Sequence, residues 1–112
     1  MGKHPFLEDL PQISTSEAAM FAAELGESPS LDLHGLDSHE AIRAMDSFLN
    51  SEFMRGSEAV KIIHGHGHGV LRASVHKALR GHPLVIAFRD AVHHGQQGSV
   101  TVVALASKDR RF

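Results

Sequence analysis

The chain contains no cysteine, which excludes disulfide frameworks, zinc–cysteine sites and a cysteine nucleophile. No apolar run approaches the roughly 20 residues that span a bilayer, so no membrane partner is expected. Residues 1–12 lack the apolar stretch of a signal peptide, which makes a cytoplasmic protein the default. Low-complexity segments are absent, and so are internal repeats, apart from one short echo described below. Carboxylates are missing locally. Residues 59–89 hold Lys61, Arg72, Lys77, Arg80 and Arg89 and no Asp or Glu, whereas residues 1–58 hold eleven carboxylates and three Lys/Arg. A formal net charge of −2 argues against nucleic acid as a partner. The uneven distribution argues for it, because counterion release needs a local basic face rather than a basic protein.

What is present suits one domain. At 112 residues and 42% hydrophobic content the chain can bury a core without staples. Ser14-Thr15-Ser16-Glu17 reads as a capping box, followed by Ala18, Phe21, Ala22 and Leu25 at helical spacing. Leu31 to His34 reads as a strand. Asp37 to Glu40 is a second capping box, and Ala41, Met45, Phe48, Leu49 and Phe53 mark the helix that Gly56 ends. Ala59 to His64 is a buried strand. After a glycine loop, Leu71, Val75, Ala78 and Leu79 face inward from a third helix, with Gly81 at C′ and Pro83 beyond. Leu84–Phe88 and Ser99–Leu105 complete the strands. Strand–helix–strand crossovers predict that the first three strands run parallel, and the short final link predicts an antiparallel pair. The fold class is α/β, in the order βαβαββ with a mixed four-stranded sheet. An N-terminal arm and helix occupy 1–29 and the main domain 30–112.

The echo is the informative part. Leu31-Asp32-Leu33-His34-Gly35 and Ile62-Ile63-His64-Gly65-His66-Gly67-His68-Gly69 each end a strand in His-Gly before a helix. Ligands bind at such carboxyl ends of strands in open α/β sheets. Asp32 and His34, two apart, project from one strand face. A carboxylate beside an imidazole fixes its tautomer and suits acid–base work. Neighbouring strand ends would bring His34 and His64 to one rim, where two imidazoles can act as base and acid. The bland alternative makes each a satisfied structural histidine. Gly65, Gly67 and Gly69 let backbone approach a phosphate at a helix start, with Arg72 one turn further on. The spacing is neither G-x-G-x-x-G nor a P-loop. Asp32 is the only carboxylate beside these motifs, which disfavours a two-metal nuclease. His4, His39, His76, His82, His93 and His94 read as solvated surface residues.

These two motifs in this order, with Phe88-Arg89-Asp90-Ala91, the glycine turn and Val100–Leu105 after them, resemble the Smr (small MutS-related) domain over residues 30–105. The resemblance implies an α+β two-layer sandwich similar to the C-terminal domain of translation initiation factor 3, and nicking or cleavage of DNA or RNA. It assigns the Asp-x-His motif to Asp32 and His34 and the His-Gly-x-Gly motif to His64, Gly65, His66 and Gly67. The family often has Lys at the position of His66 and Thr at that of His68. The turn Gly95-Gln96-Gln97-Gly98 lacks a double glycine common there.

The reading is therefore an endonuclease domain with Asp32, His34 and His64 as catalytic residues. Gly65, His66, Gly67, His68, Gly69 and Arg72 would bind substrate phosphate. No cofactor is named, and a divalent metal enters only for a DNA substrate, which lacks a 2′-OH. The partner is DNA or RNA, with ribosome association as an option. The rival is a non-catalytic nucleic-acid or ribosome-binding module. A metal-binding protein, suggested by the loop histidines, stands third.

Overall fold

A computed structural model describes residues 15–67, 69–93 and 95–108. Ser14, the arm at 1–12, His4, His68, His94 and the tail from Asp109 lie outside the described residues. The elements are α1 (Thr15–Leu25), β1 (Ser30–Asp32), α2 (Ser38–Arg55), β2 (Ala59–Ile63), α3 (Val70–Arg80), β3 (Val85–Asp90) and β4 (Val100–Leu105). The sheet order is β1-β2-β4-β3. β1 and β2 pair in parallel, and β4 is antiparallel to both β2 and β3. The first three strands thus share a direction, as the crossovers require, but β4 is inserted between β2 and β3.

Alternation along the strands sends two sets of side chains to opposite faces. Val60, Ile62, Val103 and Leu105 join Leu33 and the buried stripes of α2 and α3, namely Ala41, Met45, Leu49, Val75 and Leu79, in the main core. Each fully buried leucine there contributes about 1.5–3 kcal/mol of transfer free energy. Ala59, Val100, Val102 and Ala104 face the other way, against Met20 and Ala23 of α1. The two layers of α2–α3 and sheet therefore carry α1 on the open side, and every residue of β4 is buried.

The local signals hold at most boundaries. Asp37 accepts from the Glu40 amide at 2.8 Å, and the Glu40 carboxylate accepts from the Asp37 amide at 3.2 Å. Gly56 ends α2 at φ +85°. Gly81 ends α3 at φ −104° rather than in the left-handed region, because His82 closes the turn on the Leu79 carbonyl. β3 runs two residues beyond the expected Phe88.

Two expectations are corrected. On α1 the stripe Ala18, Phe21, Ala22 and Leu25 faces outward, with Phe21 56% and Leu25 52% exposed. The buried residues are Met20, Ala23 and Glu24. The small Ala19 and Ala23 allow close approach to a sheet face that is itself lined by alanines, and the Glu24 carboxylate finds partners there. His76 and His82 are not surface residues, since their side chains are only 14% and 11% exposed. His82 accepts from the Leu84 amide and bonds Asp46 at 2.8 Å, which joins the end of α3 to α2.

Candidate active site

β1 and β2 end side by side, Asp32 opposite Ile63. The Leu33 amide extends the ladder to the Ile63 carbonyl. Leu33 is fully buried, which turns Asp32 and His34 outward. The His34 ring Nδ1 lies 2.7 Å from Asp32 Oδ1, and the same oxygen accepts the His34 amide at 3.0 Å. These two bonds hold the Asp32 carboxyl below its ordinary range. An ionised Asp32 requires Nδ1 to donate, so in the neutral ring the Nε2 lone pair is free. The His34 side chain is 72% exposed.

Gly65 lies directly against this pair. Its φ is +78°, and a Cβ there would sit 3.3 Å from the His34 Cβ. A cleft of about 450 Å³ opens beside it, lined by His34, Leu36, His64, the glycine loop, Val70 and Arg72. The Gly65 amide is committed to the Ser99 carbonyl. The N–H groups of the first turn of α3, which starts at Val70, have no partners within the helix. His66 is exposed, and its Nε2 lies 3.1 Å from the Gln97 carbonyl. The loop thus rests on the β3–β4 turn.

His64 reaches the same cleft from below. It is 3% exposed; its Nδ1 meets the Gly65 carbonyl at 3.2 Å and its Nε2 meets Thr101 Oγ1 at 2.9 Å. His76 Nε2 lies 2.9 Å from the same hydroxyl and 3.3 Å from Asp90 Oδ1. Asp90 is gripped at both oxygens by Arg72. A carbonyl can only accept, so neutral His64 carries its proton on Nδ1. Thr101 then donates to His64 and accepts from His76. Burial pushes both imidazoles down from their ordinary value, against the pull of Asp90. The bonds from Arg72 hold the Asp90 carboxyl low, and Asp90 in turn raises the guanidinium. The result is two neutral rings beside one ion pair.

Sequence reasoning brought Asp32, His34, His64, the glycines and Arg72 to one rim; the structure lines one cleft with His34, His64, the glycines and Arg72, and Asp32 joins it through its bond to His34. It missed Asp90, His76 and Thr101. Their signal was periodicity: Arg72 and His76 are four apart on one helix face, and Thr101 alternates with the core residues Val103 and Leu105. A polar group at a core position requires a polar partner. The basic stretch is also less open than its composition suggests, because Arg72 and Arg89 are held by Asp90 and Glu24. Among the described residues one group of three potential metal ligands meets: His64, His76 and Asp90. Asp90 is already neutralised by Arg72, and both Nε2 atoms are taken by Thr101. These donors do not fit the carboxylate-rich centres of two-metal nucleases.

An exposed Asp-x-His pair beside a His-Gly-x-Gly loop, at adjacent parallel strand ends, is matched by one family model over residues 31–106, that of the Smr domain. The chain belongs to the Smr domain family. It is 45% identical over 80 residues to the endonuclease MutS2 of Pelotomaculum thermopropionicum, covering 70% of this chain and 10% of that protein. The MutS2 of Caldicellulosiruptor bescii is 46% identical over 77 residues, covering 68% of this chain and again 10% of the relative. The chain thus spans about a tenth of the length of these MutS2 relatives. Among solved structures, the Smr domain of Thermus thermophilus MutS2 superposes with a TM-score of 0.68 at 36% identity, covering 70% of this chain and 98% of that one. YdaL, a stand-alone small MutS-related protein from Escherichia coli, superposes at 0.66 and 25% identity, covering 86% of this chain and 80% of its own. That share exceeds the 31–106 segment by more than the six residues that follow it, so the YdaL match extends N-terminal to Leu31. No described helix is long and apolar enough to cross a membrane.

Proposed function

We propose that this Smr domain cleaves the nucleic-acid backbone, with His34 as the proton-transfer group and Asp32 orienting it. The observation that carries this reading is the exposed Asp32–His34 pair at the mouth of a cleft whose far wall is a glycine loop and a helix start. The names of the MutS2 relatives, endonucleases, support it. On RNA, His34 Nε2 accepts the 2′-OH proton and the 2′-oxygen attacks the adjacent phosphorus. The 5′-oxygen leaves and takes a proton from water in the open cleft. The products are a 2′,3′-cyclic phosphate and a 5′-hydroxyl. Gly67, Gly69 and the first turn of α3 hold the phosphate, with His66 and the free N–H groups of Arg72 at its edge. His64 and Gly65 shape the loop: both ring nitrogens of His64 already have partners, so its assigned role is to hold the cleft floor.

That engagement of His64 favours the second reading, a binding module without cleavage, because of the two imidazoles expected as base and acid, His34 and His64, it leaves only His34 open. His34→Ala separates the readings. Cleavage of structured RNA should fall by about 10²-fold or more, the usual scale for an acid–base group, with affinity little changed. A parent protein that binds RNA and DNA but cuts neither, or a variant that cuts as fast as the parent, removes the catalytic reading. End-group analysis distinguishes 2′-OH attack from hydrolysis.

A further inference from the structure

The connection between β3 and β4, residues 91–99, is longer than the two to five residues that make a self-supporting hairpin turn. It needs outside anchors, and two sets are present. On one side lies Glu24 of α1, whose side chain is 1% exposed. Its Oε1 accepts from Arg89 at 2.6 Å, and its Oε2 accepts the amides of Val92 at 2.7 Å and His93 at 2.5 Å. Burial alone would raise this carboxyl, but the bonds from Arg89, His93 and Val92 outweigh it and hold it low. On the other side lies the site loop. The Ser99 carbonyl accepts the amides of His64 and Gly65 at 3.0 and 3.1 Å, and the Gln97 carbonyl meets the His66 ring. Gln97 Nε2 donates across the turn to the Val92 carbonyl at 3.0 Å. Arg89 also donates to the backbone carbonyl of Asp90, the residue that grips Arg72 and His76 on the opposite face of the sheet.

Burying a carboxylate costs several kcal/mol unless it is fully paired. A helix needing only to cover an alanine-lined sheet would place an apolar side chain at position 24. Leu25 and Phe21 of the same helix instead face outward. The charge at 24 is matched to the turn, not to the sheet.

We propose that Glu24 is a positioning residue for the His64–Gly67 loop, acting through the 91–99 turn, so that α1 is a working part of the site although it lies outside the 31–106 segment. The functional side of this inference rests on the proposed reading of the cleft; the mechanical side does not.

Amide hydrogen exchange on the whole chain tests it. In Glu24→Gln one amide oxygen must replace two carboxylate oxygens, so an NH2 group faces either the turn amides or the Arg89 guanidinium, and the charge that holds Arg89 is lost. Exchange at Val92, His93, His64 and Gly65 should accelerate about tenfold or more, while Val60, Ile62 and the centre of α2 keep the parental rate. Acceleration confined to Val92 and His93 overturns the proposal. So does uniform acceleration across the core, which marks Glu24 as a general stabiliser. If Glu24→Gln does not fold, Gln97→Ala removes the side-chain bond across the turn to the Val92 carbonyl without touching α1, and parental exchange at His64 and Gly65 in that variant overturns the coupling. In cleavage assays Glu24→Gln should raise KM by more than it lowers kcat, with Glu24→Asp restoring part of the loss. A chain that cuts nothing ends the endonuclease reading and leaves the exchange result standing.

Discussion

Gly65→Ala tests the geometry on which the site depends. Two separate effects act at this position. The first is backbone strain: at φ +78° a residue with a Cβ costs about 1–2 kcal/mol, of which roughly 0.4–1 kcal/mol is offset by the reduced freedom of the unfolded chain. The second is contact: the new methyl group would lie 3.3 Å from the His34 Cβ, so the end of β1 must yield by a few tenths of an ångström, and overpacking typically costs about 1–3 kcal/mol. Gly67 provides the internal control. It is also in the left-handed region, at φ +37°, but nothing lies within 4 Å of its would-be Cβ. Gly67→Ala should therefore lose under about 1 kcal/mol, and Gly65→Ala about 2 kcal/mol, which lowers Tm by roughly 10 °C for a domain of this size. Paired urea titrations followed by circular dichroism measure the difference. Cleavage, assayed well below both midpoints, should fall in Gly65→Ala by more than the folded fraction explains, because the displaced His34 loses its 2.7 Å register with Asp32. Equal stability of the two variants, or a Gly65→Ala protein that is fully folded and fully active, refutes the claim that this glycine sets the approach of the two strand ends.

Thr101→Val keeps the branched shape but removes the hydroxyl that both His64 and His76 bond. It should cost about 1–3 kcal/mol, read as a shift in urea midpoint at unchanged m-value, and a midpoint within error of the parent contradicts the network. Stability should also depend on pH through the two covered rings. Burial holds both below the ordinary imidazole value near 6.5, so as pH falls past 6.5 the unfolded chain takes up their protons first. Stability is then lost with acid, at up to about 1.4 kcal/mol per pH unit for each ring, until the folded rings protonate in turn. These rings contribute no slope well above 6.5. His76→Gln should reduce that acid-side slope below pH 6.5, measured by urea titration at several pH values, and an unaltered slope assigns the effect to other groups.

Much of this molecule was readable from local pattern. The capping box at Asp37, the stop at Gly56 and the stripes of α2 and α3 depend on neighbours within four residues, so spacing alone located them. The pairing of Asp32 with His34 is equally local, since strand geometry places residues two apart on the same face. The two His-Gly motifs, read in order, were enough to name the family. The rotation of α1 was not legible. Its outward apolar stripe and its inward glutamate invert the usual rule, and the reason lies 65 residues away at Arg89 and in the turn that follows. Nor was the insertion of β4 between β2 and β3, which sets Thr101 beside His64 and brings Asp90 within reach of Arg72. Partners so distant in sequence meet only after the sheet order is set, and it was this meeting that turned His76 from an apparent surface residue into a covered one, gave Arg72 a carboxylate to hold, and engaged both ring nitrogens of His64 while His34 stayed exposed at the mouth of the cleft.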